Sequence, residues 1–178
     1  MQKEKELSVQ ICGLHRTLAI TDTGCGRKRL SLRLEGDVAL TNVSAGALAT
    51  KLARLGWDLL AGPAPECLPL LQVLSTFLGR EHYLALYRNA PPSMNSPLTT
   101  TGANDLFWFL DGRTAEHAKD QRVILIADAI TSEATLQGAE TLIEQAGGRV
   151  VGYAAILVSP PIARWEDLLF LNELPEIP

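Results

Sequence analysis

The stretch from Arg122 to Val158 constrains this chain more than any other. Arg122-Val-Ile-Leu-Ile-Ala127 is a short, β-branched apolar run, the pattern of a strand buried on both faces. After Asp128–Ser132 a helical spacing covers Glu133–Gln145, with Leu136, Ala139, Leu142 and Ile143 on one side. Gly147-Gly148 stops that helix, because glycine accepts the left-handed conformation there cheaply. Val150–Val158 reads as a second buried strand, ended by Pro160-Pro161. Such a strand–helix–strand unit crosses over right-handed in nearly all cases. Parallel strands buried on both faces need helices above and below, so the chain commits to an α/β architecture.

The same beat recurs upstream. Ala45–Leu55 carries a helical apolar spacing and ends at Gly56; Trp57–Ala61 is a short strand. Leu68–Leu78 is a helix closed by Gly79, and His82–Tyr87 the next strand. Thr17–Thr21 and Arg29–Leu34 alternate apolar and polar residues about Asp22–Gly26, which predicts a β-hairpin. Asn89–Asn104 holds three prolines, three threonines, two serines and no charge; a loop of that length is usually a lid or a binding loop. The reading is a mostly parallel sheet flanked by helices.

At 178 residues the chain holds about one domain. Sixteen Lys+Arg against twenty Asp+Glu give a net charge of −4, which argues against wholesale binding to nucleic acid or an anionic membrane. Apolar runs as short as Leu106–Leu110 fall far below the ~20 residues that span a bilayer. Residues 1–6 lack the apolar core of a secretory signal. Three cysteines make no disulfide framework. A soluble cytoplasmic protein is the expectation.

In open α/β sheets, ligands sit beyond the carboxyl ends of the strands, so the turn after Ala127 is the one to weigh. Asp128-Ala129-Ile-Thr131-Ser132-Glu133-Ala134-Thr135 places an acid, then hydroxyl and small residues, at a helix start. Backbone N–H groups there favour an anion, and Asp128 can accept hydrogen bonds from a sugar diol. An ordinary turn, with Thr131 or Ser132 capping the helix, fits the same residues. Cys12, His15 and Cys25 are three soft ligands without a fourth, which favours a structural role over zinc. His15, His82 and His117 are scattered with no nucleophile beside them. Trp57 and Trp108 read as core or interface residues.

Val123–Thr135 resembles the ribose-phosphate signature of the type I phosphoribosyltransferases, nearest the adenine- and xanthine-type purine enzymes. Asp58–Gly79 resembles their pyrophosphate-loop region, Tyr83–Arg88 the strand leading into their flexible loop, and Leu106–Gly112 the strand before the signature. Gly138–Val158 is similar to the helix and strand that follow it. The resemblance implies one domain over residues 1–178, with a hood from about 1–40 and 162–178, Trp165 in it facing the base, and a flexible loop at 89–104. It implies transfer of ribose 5-phosphate from phosphoribosyl pyrophosphate (PRPP) to a purine base, assisted by Mg²⁺, in a homodimer. Asp128 would hold the ribose and serve catalysis, and Asp128, Ala129, Thr131, Ser132, Glu133, Ala134 and Thr135 would form the ribose 5′-phosphate site. Glu66, Cys67 and Arg88 would stand at the pyrophosphate.

The chain departs from that family at five places. Ala127 replaces the first of two adjacent acids, and Glu133-Ala134 replaces two small residues, commonly glycines. Glu66-Cys67 replaces a basic residue and a glycine, where the family's loop often holds a strained peptide. Asn89 follows Arg88 in place of lysine, and the 89–104 loop has no ionisable side chain. A carboxylate about 5 Å from a phosphate costs on the order of 3 kcal/mol per unit charge at an effective dielectric of about 20. These departures imply a nucleotide-binding scaffold whose PRPP chemistry is weakened or lost. An active purine phosphoribosyltransferase is the alternative, and a dimeric regulatory or scaffold module a second.

Overall fold

The computed structural model describes residues 5–22, 28–101, 107–131, 134–160, 162 and 166–174. Strands β1 (Lys5–Ile11), β2 (Leu14–Asp22) and β3 (Lys28–Ser31) form a small antiparallel sheet. Cys12 and Gly13 make the two-residue turn between β1 and β2, with φ of 47° and 84°. Both values suit the right-handed twist of the flanking strands. The Cys12 end of the three-ligand set is thus an exposed hairpin turn, while Cys25 lies outside the described residues. β1 has the alternation Leu7, Val9, Ile11, a strand that the sequence reading passes over.

Helix α1 (Val38–Leu52) begins seven residues before the expected start at Ala45. Asp37 is the reason: its carboxylate accepts from the Leu40 N–H at 3.0 Å, a capping bond that satisfies a donor otherwise orphaned. The same carboxylate pairs with Arg16 of β2, whose guanidinium holds Asp37 below the usual carboxylate range. One side chain therefore starts the helix and ties the small sheet to it.

Then follow β4 (Leu59–Ala64), α2 (Leu68–Phe77), β5 (Tyr83–Tyr87), β6 (Leu98–Thr101), β7 (Phe107–Leu110), α3 (Gly112–Ala115), β8 (Arg122–Ile130), α4 (Ala134–Gln145), β9 (Arg149–Val158) and β10 (Leu168–Glu173). The main sheet has the order β10-β9-β8-β4-β5-β7-β6. Its first five strands are parallel, and β7 and β6 are antiparallel additions. Helices α1 and α2, with the small sheet, cover one face around Ile11, Leu18, Leu40, Leu70, Ile124 and Ile126. Helix α4 covers the other, around Leu84, Trp108, Leu125, Leu142 and Ile143.

Three expectations need correction. Strand β8 runs to Ile130, beyond the expected end at Ala127, because Ile130 is buried and pairs with Val158; Asp128 and Ala129 therefore lie in the strand. The 89–104 segment is only partly loop: Leu98–Thr101, with three β-branched threonines, pairs with Phe107–Leu110. Its earlier part is anchored where the Asp111 carboxylate accepts from the Asn95 N–H at 3.0 Å. Residues 168–173, assigned above to the hood, form the edge strand of the main sheet, where Leu168 buries against the α4 side.

Candidate functional site

The parallel strands set the site. From β4 the chain winds through α2 to β5 on one side; from β8 it winds through α4 to β9 on the other. Strand order reverses between β4 and β8, and a crevice opens at such a switch point beyond the carboxyl ends. The β4–β8 ladder runs only from Leu59↔Val123 to Ala61↔Leu125. Past it, β4 continues with β5 and β8 with β9. Where they part, a Cβ on Gly62 would lie 2.6 Å from the Ile126 carbonyl oxygen, so only glycine fits.

Into this crevice the fold brings the two segments that the sequence singles out. Cys67, immediately before α2, is fully buried, with its Sγ 4.0 Å from Oδ1 of Asp128 on β8. Burial, and next the charge of Asp128, push the thiol well above its ordinary pKa. It stays protonated and donates toward the carboxylate. Cys67 has φ −95° and ψ −2°, so the strained peptide anticipated at this position does not fall on it. Glu66 is exposed at the rim. Asp128 is half-buried and shares its face of β8 with Ile124 and Ile126. Ala127 points the other way, into the cluster with Leu136, Val158 and Ile162, as alternation along a strand requires.

Thr131 follows β8 and is exposed; its carbonyl accepts from the Ser159 hydroxyl at 3.3 Å. Past Asp128 the alternation breaks: Ala129 packs toward the α1–α2 side and Ile130 joins Ala127 in the other cluster. Ala134 and Thr135 open α4. Ser132, Glu133 and Trp165 lie outside the described residues.

Arg88 follows β5, next to the end of β4, since Ala64 pairs with Tyr87. Its guanidinium carbon sits 3.6 Å from the ring centroid of Trp108, and Trp108 is 1% exposed. The sequence reading made Trp108 a core or interface residue and missed this platform; Phe107-Trp-Phe-Leu110 is uniformly apolar, and which of its faces is buried appears only in the folded strand. Trp57 is likewise buried, its indole N–H donating to the Leu52 carbonyl at 2.9 Å.

Magnesium takes hard oxygen ligands. Among the described residues the crevice offers the Asp128 carboxylate, with a protonated thiol beside it and Glu66 exposed at the rim, while Ala127 is turned away. Among the described residues no three His, Cys, Asp or Glu side chains gather to hold a metal ion. The donor set does not fit a Mg²⁺ site supplied by the protein.

The opposite end of the sheet corrects one expectation. His82 and His117, read as scattered, stack with centroids 4.0 Å apart beside a cavity of about 530 Å³ lined also by Asp58, Arg80, Glu81 and Lys119. That cavity lies at the amino ends of β4 and β5, away from the crevice.

No family model and no curated protein matches the sequence. Solved structures do match in three dimensions. An adenine phosphoribosyltransferase of Rhodothermus marinus superposes with a TM-score of 0.70 at 15% identity, over 88% of this chain and 94% of that one. That of Thermoanaerobacter pseudethanolicus gives 0.68 at 18%, over 84% and 89%. The Trypanosoma brucei enzyme, solved with AMP, pyrophosphate and ribose-5-phosphate, gives 0.63 at 14%, over 79% and 67%. With its reversal of strand order at β4 and β8 and its crevice between them, the chain has the type I phosphoribosyltransferase fold, related to that of the adenine phosphoribosyltransferases.

Proposed function

We propose that this chain binds a purine nucleotide in the β4–β8 crevice, with PRPP-dependent transfer weakened or lost. One observation carries the reading: of the two adjacent positions that are acids in the signature, only Asp128 is one and lies beside Cys67, while Ala127 is turned into the core. One carboxylate oriented by a thiol suffices to accept a hydrogen bond from a ribose hydroxyl. It does not suffice to organise a metal and stabilise an oxocarbenium-like transition state, which needs charge positioned in advance. The start of α4 at Ala134-Thr135, with Thr131 ahead of it at the end of β8, receives the 5′-phosphate by backbone N–H groups. The complex of the T. brucei enzyme with AMP supports a nucleotide of this class.

Two further elements belong to the proposal. The chain acts as a homodimer, supported by the exposed aromatic rings of Phe77 and Phe107, 53% and 55% accessible. It works in the cytoplasm, supported by free thiols at Cys12 and Cys67; no helix of the described residues is long and apolar enough to cross a membrane.

The test pairs an activity assay with a binding assay on the purified protein, sized first by light scattering. Pyrophosphate release from PRPP, Mg²⁺ and adenine, hypoxanthine, guanine or xanthine should stay near background. AMP or GMP should raise the melting temperature. Brisk turnover with any base establishes the active enzyme instead; no thermal shift with any nucleotide leaves the scaffold module.

A further inference from the structure

We propose that the crevice seats one phosphate ester and has no place for a diphosphate, so that its ligand is a purine nucleoside 5′-monophosphate and not PRPP. The inference rests on the nucleotide reading above and narrows the ligand it takes.

A loop holds a diphosphate largely through unpaired backbone N–H groups aimed at it from a helix start. The loop between β4 and α2 has spent those groups. Over residues 63–69, Pro63, Pro65 and Pro69 carry no N–H at all. The Cys67 N–H donates to the Pro63 carbonyl at 2.9 Å, and the Leu68 N–H to the Pro65 carbonyl at 3.1 Å. Five of these seven residues therefore present no amide to a ligand.

The side chains do not make up the loss. Cys67 is fully buried, its thiol turned to Asp128, and supplies no cation. Glu66 sets a carboxylate at the exposed rim of the same turn, where like charge opposes an anion. Just past the neighbouring strand, Arg88 stacks its guanidinium carbon 3.6 Å from the Trp108 ring centroid, and the residue after it is the neutral Asn89. A second phosphate group set against this turn meets all of these; a ligand with one phosphate at the α4 end places no charge there.

Calorimetric titration of the full chain with AMP, GMP, ribose 5-phosphate, PRPP with Mg²⁺, and pyrophosphate with Mg²⁺ tests this. A monophosphate should bind, PRPP should bind no more tightly than ribose 5-phosphate, and pyrophosphate should neither bind alone nor displace AMP. Binding of PRPP about tenfold or more tighter than ribose 5-phosphate, or displacement of AMP by pyrophosphate, overturns this inference and leaves the nucleotide reading intact. If no phosphate ester binds, the nucleotide reading falls and this inference with it.

Discussion

Replacing Ala127 with aspartate, the change that restores the paired acids of the family signature, should destabilise the protein by about 3 kcal/mol or more and add no affinity for PRPP. Ala127 is 2% exposed and packs in an apolar cluster with Leu136, Ala155, Val158 and Ile162. Its Cβ leaves the strand on the side opposite Asp128, so a longer side chain enters the core beneath α4 instead of the crevice. The buried members of that cluster are all aliphatic, with Tyr153 and Phe170 packed against its edge, and an uncompensated buried charge is costly. Burial raises the folded-state pKa of the introduced carboxyl above the unfolded value of about 3.9. The deficit is therefore smallest below about pH 4, where both states hold the proton, and grows as pH rises through the folded-state value. Urea unfolding of parent and variant at matched pH values measures it. Equal stability at neutral pH together with tighter PRPP binding would show that position 127 faces the ligand after all.

The second large effect belongs to Trp108. Its replacement by alanine should cost roughly 3–5 kcal/mol, as is typical for deleting a buried aromatic ring, because Trp108 is 1% exposed and central to the cluster of Leu84, Leu86, Leu110, Leu142 and Ile143. Part of its role is not volume. The indole face lies under the Arg88 guanidinium at 3.6 Å, a contact worth about 0.5–2 kcal/mol depending on solvation. A mutant cycle separates the two. In the cycle of Arg88→Met with Trp108→Leu, which removes the aromatic face, the coupling should be about 0.5–2 kcal/mol. In the cycle with Trp108→Phe, which keeps an aromatic face, it should be about 0.5 kcal/mol or less. Identical coupling in both cycles would reduce the stack to ordinary packing. The structural consequence is placement: the ring fixes Arg88, just past β5, beside the turn that leaves β4.

How far sequence alone carries can be judged at three places. Arg122–Val158 announced its strands and helix because residues buried on both faces leave an unbroken apolar run, and a long amphipathic helix leaves a 3.6-residue period. Both signals are local. The start of α1 was not readable from apolar spacing, since it depends on the Asp37 cap and its ion pair with Arg16 on a distant strand. The 168–173 strand was misplaced because an edge strand owes its position to a neighbour, here β9, and a run such as Leu-Leu-Phe-Leu suits many partners.

The candidate site divides along the same line. Composition and order of segments, read locally, established the α/β class, the acid at position 128 and the replacements at 66, 67 and 127. Which of these residues meet was settled by tertiary structure alone. Cys67 and Asp128 come within 4.0 Å across sixty-one residues of chain because β4 and β8 are neighbours in the sheet. Ala127 and Asp128, adjacent in sequence, part to opposite faces because strand alternation sends one to α4 and the other to α2. The turn between β4 and α2 is of this kind too: prolines can be counted in a sequence, but whether the amides of Cys67 and Leu68 bond within their own loop depends on how the backbone folds back on itself.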